Sequence, residues 1–575
     1  MKTQPPFRNG VQGNALVVTM IMCGVALLTV AGIMSWSGGT ARLTGRSNQY
    51  SRSVAAAEAA TEKAMSALNS DFLSGGEGLV DANMNTYRAL VPTSTDSSYW
   101  ANWQFQDAQG HLNQTYVTEV SVSNFTVLAP PYAGLYGYVS TYDLISDASE
   151  VSDLQSVVAG SFQEVQLTRI PIFQFSMYSS DDMEISCGEP FTIDGPVHSN
   201  GSLYSEPDNV MVFNNNVSVV NTIYFAREPL DTRPPPAGSV VYSMGTSTNV
   251  AALTLPIGMT NTSQAIQQII QPPPAGESTT SALGRLRYYN QADMIIKVTP
   301  TGISATSGLF NSFLTSIPSN ELALFANTTN SFHDARESKT VQPLDIDVGM
   351  LTKWSATNKD LRSALGSRDV SSIYVYDLRP DSATALPAVR VRDGLVLPSL
   401  GLTVATSRPL YVLGNYNQTN NSNLYTSNTI TSRPASLVGD AVTILSPAWS
   451  DANSSSLNNA SPNDNVNAAI IAGAVYTTLG HYSGGMENFQ RFLENWSAST
   501  YTYNGSLVKM FASVYATNVW GKANVYNPPT RQYYFDLNFN DPSKLPPLTP
   551  SLQTIFRNRW ATLAANQTKA TNTPW

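Results

Sequence analysis

Residues Ala15 to Trp36 run Ala-Leu-Val-Val-Thr-Met-Ile-Met-Cys-Gly-Val-Ala-Leu-Leu-Thr-Val-Ala-Gly-Ile-Met-Ser-Trp, and no charged residue occurs between Asn9 and Ala41. As a helix this run extends about 33 Å, close to the roughly 30 Å hydrocarbon core of a bilayer. A secretory signal has an apolar region of only about 7 to 15 residues and a small-residue cut site after it. No such site precedes the charges that resume at Arg42, so a retained membrane anchor is expected. Lys2 and Arg8 precede the run while Arg42, Arg46 and Arg52 follow it, so flanking charge does not orient it. The long remainder is poor in Lys and rich in Ser, Thr and Asn. Because long domains translocate largely regardless of charge, that remainder is expected outside the cytoplasm.

Working outward, Gly38-Gly39 reads as a hinge, after which Tyr50, Val54, Ala57, Thr61, Ala64, Leu68 and Phe72 recur at steps of four and three. This is one narrow helical stripe. Ala55-Ala56-Ala57-Glu58-Ala59-Ala60 has high helix propensity and Gly75-Gly76 supplies the stop. Small side chains at Ala57 and Ala64 permit close packing, either on the chain's own domain or on neighbouring helices in a filament core.

Gly13-Asn14-Ala15-Leu16-Val17-Val18, the apolar run, Gly45-Arg46-Ser47-Asn48 and Ala57-Glu58-Ala59-Ala60 together resemble the N-terminal region of PilX-type pilus-assembly proteins, over roughly the first 70 residues. The resemblance implies a leader of residues 1–13 cut by a prepilin peptidase after Gly13, with Asn14 opening the mature chain; Gly10 is the alternative. It also implies helix packing through Tyr50, Val54, Ala57, Glu58, Thr61, Ala64 and Leu68 against other pilin-like subunits. Most major pilins carry Glu at the fifth mature position, where this chain has Val18, a departure that resembles minor or tip-located members.

Beyond residue 77 no long helical period remains, and short β-branched or apolar runs alternate with Gly, Pro, Asn and Asp turns. The expected fold class is α+β: a single N-terminal helix, 14–76, followed by a large mainly β exported region. Met183-Glu184-Ile185, Phe191-Thr192-Ile193, Ser202-Leu203-Tyr204 and Val210 to Phe213 recur about every ten residues, a spacing that suits either a β-solenoid or an antiparallel sandwich. Two copies of Pro-Pro-Pro-Ala-Gly, Pro234–Gly238 and Pro272–Gly276, mark stiff connections. The expected units are therefore 77–170, a solenoid-type segment 171–290 and a region 291–575 with two short helices, one over Met486–Trp496 and one over Leu552–Leu563. The first is expected to carry a Glu487–Arg491 pair at i,i+4.

With 32 Lys and Arg against 41 Asp and Glu, the formal net charge of -9 offers no basic surface, so nucleic acid is excluded as a partner. The two cysteines, Cys23 and Cys187, leave the exported region without an internal disulfide. The four histidines, His111, His198, His333 and His481, are far apart, and neither a nucleophile elbow nor a phosphate-binding loop occurs. Asp181, Asp182, Glu184, Glu189, Asp194 and His198 form the nearest thing to a site, but they lack the spacing of a Ca²⁺ loop and fit turn-forming carboxylates better. No catalytic, cofactor-binding or metal site is expected. Tyr501-Thr502-Tyr503 and Tyr533-Tyr534-Phe535 are candidates for an adhesive aromatic face, with packing as their default role.

The combined expectation is a non-enzymatic, PilX-like minor pilin or pilus-assembly component in the cytoplasmic (inner) membrane, its body exposed at the surface or on a pilus. Expected partners are the membrane, other pilin-like subunits with their assembly machinery, and prepilin peptidase. The alternative is a membrane-anchored β-solenoid that binds or processes surface polysaccharide.

Overall fold

The structure, a computed structural model, describes residues 14–151, 157–309, 312–521 and 524–564. Helix α1, Ala15–Gly75, runs unbroken for 61 residues, about 90 Å at the α-helical rise. The expected hinge at Gly38-Gly39 is absent. Two glycines cost a helix about 1 kcal/mol each, too little to break a ladder continued by helix formers on both sides. The helix stops where Gly76 adopts φ +75°, a left-handed conformation that favours glycine, and the Gly76 N–H donates to the Phe72 carbonyl at 2.8 Å. Its first half touches nothing: the apolar window is wholly unburied, and α1 is the one helix among the described residues long and apolar enough to cross a membrane.

The second half of α1 lies on a five-stranded antiparallel sheet. Strand β3 (Tyr136–Glu150) has β4 (Ala159–Pro171) on one edge. Its other edge is shared end to end by β1 (Trp103–Asp107) and β2 (Tyr116–Val127). The last strand, β5 (Ser551–Ala564), pairs with β4. The helix contributes Ala56, Ala57 and Ala60 to a cluster with Trp103, Phe105 and Ala148. Further along, Ala64, Leu68 and Phe72 pack with Val117, Tyr142, Leu144, Val165 and Leu167. Small residues come where the helix lies close to aromatic rings, and larger ones fill the wider end. Polar ties also cross this interface: Gln163 Nε2 donates to Thr61 Oγ1 at 2.8 Å and Glu62 Oε1 at 2.9 Å, and Arg52 pairs with Glu150 at 3.0 Å.

Strand β5 corrects the helix expected over Leu552–Leu563. Leu552, Ile555 and Phe556 do face apolar neighbours, but from an extended chain, because the open edge of β4 offers a full ladder from Pro171 to Ala159. Tertiary pairing overrides the local spacing here. The expected helix over Met486–Trp496 is likewise replaced, by a single turn at Met486–Asn488 and a strand at Arg491–Phe492. Its Glu487–Arg491 pair does not form, since Arg491 binds Glu337 Oε1 at 2.9 Å and Glu487 accepts from the Ser186 N–H at 3.1 Å.

Between β4 and β5 lies one insertion built mainly of stacked parallel strands, with antiparallel pairs at Met294–Thr299 with Gly302–Leu309 and at Phe332–Asp334 with Lys339–Asp347. Met177–Ser179, Val197–Ser199, Val217–Val219 and Thr246–Ser247 pair in that order, all parallel. Two further faces stack in the same way: Met183–Ile185 on Leu203–Ser205 on Ile223–Tyr224, and Phe191–Ile193 on Val210–Phe213 on Ser239–Tyr242. Equivalent apolar positions superpose, so Met183 and Leu203, and Ile193 and Phe213, enter a common core. Antiparallel pairing, which the spacing left open, does not occur among these strands.

The chain then crosses through 248–293, past the second Pro-Pro-Pro-Ala-Gly copy, and begins a second parallel run. This run stacks Met294–Thr299, Ser372–Asp377, Leu402–Thr406, Ala435–Gly439, Ala469–Ala474 and Leu507–Ala512. Its last strand pairs with the first strand of the first run, Leu507 beside Met177 and Lys509 beside Ser179. The two runs thus share one continuous sheet whose middle is a seam between residues over 300 apart in sequence. The region expected as 291–575 is therefore split, its rungs closing the stack while 551–564 returns to the helix-bearing sheet.

Truncating the helix–sheet interface should be costly. Phe72→Ala is expected to destabilise the α1–sheet unit by about 3 to 5 kcal/mol, and Leu68→Ala by about 2 to 5 kcal/mol. Leu27→Ala in the bare half should leave it unchanged, as measured by thermal melts in detergent.

Candidate functional site

The seam brings Ser180 to Gly201 of the first run against Gly473 to Lys509 of the second, and a cavity of about 430 Å³ lies between them. The first run supplies Asp181, Asp182, Glu184 and Glu228 to its lining, and the second supplies Arg336, Tyr476, Arg491 and Lys509. Lys509 Nζ sits 2.6 Å from Asp181 Oδ1 and donates to the Asp182 carbonyl, also at 2.6 Å. Burial would raise the Asp181 carboxyl, but Lys509 and the Tyr476 hydroxyl hold it below the usual carboxylate range. Glu184 Oε2 accepts the hydroxyls of Thr477 at 2.7 Å and Ser483 at 2.6 Å. These bonds tie the two runs together through side chains as well as backbone.

The basic residues differ from one another in their pairing. Arg491 is held by Glu337 at 2.9 Å and by the Ala516 carbonyl at 2.7 Å. Arg336 is only 7% exposed, and its Nε donates a long 3.3 Å bond to the Asn518 carbonyl. Its two terminal nitrogens have no hydrogen-bond partner, and no carboxylate lies within ion-pair distance, among the described residues. Burial, with Arg491 alongside, pulls its pKa down to about 9.

In the neighbouring coil, the Glu206 carboxylate is fully buried, 3.5 Å from Arg227 and 3.6 Å from Arg233. Burial outweighs both guanidiniums and pushes its pKa up to about 8. The Arg233 guanidinium lies over the Tyr482 ring, 3.5 Å from the centroid. Tyr482 OH donates to Glu487 Oε1 at 3.2 Å, and burial lifts the Glu487 carboxyl to about 7.

The six residues singled out in sequence separate. Asp181, Asp182 and Glu184 line the cavity. Glu189 and Asp194 are exposed, Asp194 accepting from Asn214 at 2.8 Å. His198 is buried between Ser218 and Asn200, and burial lowers its pKa to about 4. Among the described residues no group of three His, Cys, Asp or Glu is placed to hold a metal. Of the aromatic runs, Tyr501, Tyr503 and Tyr533 take the packing role given as their default: all three are core residues, with the rings of Tyr501 and Tyr503 centred 6.1 and 5.5 Å from that of Tyr533.

Of the processing pair, Gly13 lies outside the described residues and Asn14 is exposed at the helix start, its carbonyl accepting the Val18 N–H at 2.9 Å. In the helix-packing set, Ala57, Thr61, Ala64 and Leu68 are buried on the chain's own sheet, Val54 and Glu58 are half-buried, and Tyr50 is exposed. Sequence inspection missed Arg336, Tyr476, Arg491 and Lys509. They stand 155 to 328 positions from Asp181, and only the register of the seam brings them near it.

The raised Glu206 pKa has a consequence for stability. Between an ordinary carboxylate value near 4.5 and about 8, the folded state holds a proton that the unfolded chain has released, so this group's contribution falls as pH rises through that window. In Glu206→Gln the fall in melting temperature between pH 5 and pH 8 should be smaller than in the wild type, as read by melts across that range.

No protein-family model matches the chain, and no curated protein matches it. Among solved structures it is similar to the crystal structure of competence-associated pilin ComZ from Thermus thermophilus, with 8% sequence identity, coverage of 86% of this chain and 96% of that chain, and a TM-score of 0.29.

Proposed function

We propose that this chain is a non-enzymatic, PilX-like minor pilin or assembly component of a type IV pilus or related secretion filament, its β-rich body held outside the cytoplasm. The observation that supports this reading is the division of α1. One half is fixed on the chain's own sheet through Ala57, Thr61, Ala64, Leu68 and Phe72. The other half exposes Leu16, Met20, Leu27, Leu28, Ile33 and Trp36 on every side. A bare apolar helix of that length requires a bilayer or a bundle of like helices around it.

Adding a Cβ at Gly24, Gly32, Gly38 or Gly39 would meet no atom within 4 Å. The chain's own fold therefore does not need these glycines, whereas small residues on a helix in lipid allow neighbouring helices to approach closely. The same half serves first as anchor and then as packing surface. The body is an insertion between paired strands β4 and β5, so its size does not disturb the helix-bearing sheet.

The test is the N-terminal peptide mass of the protein recovered from cells with and without active prepilin peptidase. A chain beginning at Asn14 only when the peptidase is active, and present in sheared filaments, is expected. An intact leader in both strains would make the protein a fixed anchor and end the pilin reading.

A further inference from the structure

We propose that the seam cavity binds a sugar acid, a small ligand bearing one carboxylate and several hydroxyls, with the carboxylate received by Arg336. The inference is independent of the filament reading and starts from an unpaired cation. Arg336 is more than nine-tenths buried, lines the cavity, and leaves both terminal nitrogens of its guanidinium without a partner among the described residues. These nitrogens open onto the cavity, so a group entering there can accept from them. The guanidinium's forked geometry matches a carboxylate bidentately. Burial and the adjacent Arg491 lower its pKa to about 9, which leaves it charged at neutral pH and favours an incoming anion.

The rest of the lining calls for hydrogen-bond donors. Asp182 Oδ1 is taken by the Ser202 N–H, Glu184 Oε2 by two hydroxyls, and Glu228 Oε2 by the Leu230 N–H. Their second oxygens, Asp182 Oδ2, Glu184 Oε1 and Glu228 Oε1, accept nothing among the described residues. Three acceptors, two at strand Met183–Ile185 and one beyond Ile223–Tyr224, suit several donors spread over one ligand, as vicinal hydroxyls are, better than a single ammonium. Asp181 is already neutralised by Lys509, and Arg491 by Glu337, so neither competes for the ligand's charge. The volume of about 430 Å³ falls at the small end of ligand cavities and suits one or two sugar units.

Titration calorimetry on the full chain in detergent tests this, with D-glucuronate, digalacturonate, glucuronate methyl ester, glucose and glycylglycine as probes. Binding is expected for the two acids and not for the ester, glucose or the zwitterion. Arg336→Gln should weaken glucuronate roughly tenfold to a hundredfold, and Arg336→Lys should restore part of the loss. Tighter binding of digalacturonate than of glucuronate would indicate a polysaccharide source, and equal binding a free sugar acid. The proposal is overturned if glucuronate does not bind, if the ester, glucose or glycylglycine binds as well, or if Arg336→Gln binds glucuronate unchanged. Should that variant fail to melt cooperatively, the acid-against-ester comparison on the unmodified protein decides alone.

Discussion

The three-residue ladder between Leu507–Lys509 and Met177–Ser179 is the contact on which the body depends. The Leu507 N–H donates to the Ser176 carbonyl at 2.8 Å, and the Ser180 N–H to the Lys509 carbonyl at 3.0 Å. Without it each run would end in an open parallel edge, a row of unpaired backbone groups that invites association with other chains. The seam converts two such edges into the interior of one sheet. It also bears on folding order, because its loop of over 300 residues is entropically expensive to close and the contact gains nothing until both runs have formed.

The second constraint is the pairing of Pro171 with Ser551 at the head of the β4–β5 ladder. The body's entry and exit lie side by side on adjacent strands, the arrangement in which an inserted domain is tolerated without strain on its host. The helix packs on one face of its sheet in a core of its own, while Val139, Ile170 and Leu552 of the sheet share a second core with Leu253, Ile471 and Val508 of the body. A bare apolar half-helix and a large exported body can then coexist in one chain. The first is rooted in the small sheet, and the second is joined to it by two strands and by that shared core.

Legibility in the sequence followed the range of the interactions. The apolar run, the stripe ending at Phe72 and the stop at Gly76 depend on neighbours three or four residues away, and all are visible in the chain. The short strands at 183, 191, 203 and 210 are also local, and their positions agree with the structure. Their partners lie twenty to thirty residues on, and the strand that opens the run at Met177 pairs beyond 500, which no periodicity reveals. Strand β5 was misjudged because Leu552, Ile555, Phe556 and Leu563 satisfy a helical spacing by coincidence, while its extended form is imposed by β4. The cavity shows the same limit: Asp181, Asp182 and Glu184 sit together in sequence, whereas Arg336 and Lys509 reach them only through the seam.

The low charge of the chain follows from this architecture. In a parallel, in-register stack equivalent positions of successive coils lie about 4.8 Å apart, so a charge repeated at one position would face its own kind along the ladder. The structure uses neutral polar or aromatic pairs there instead. Thr403 beside Ser436 is bridged at 2.8 Å, and Asn467 beside Asn504 at 2.8 Å, while Tyr204 stacks on Tyr224 with centroids 5.2 Å apart. Where charges do occupy stacked positions their signs alternate: Asp345 faces Arg390 at 2.6 Å and Asp347 faces Arg392 at 3.2 Å. Only 13% of the residues are charged, and the Ser, Thr and Asn that take their place are those able to form a neutral ladder. Buried charges without an ionic partner are instead held by neutral groups, as Asp440 is by the N–H groups of Val514, Tyr515 and Ala516 and Glu494 by Ser446.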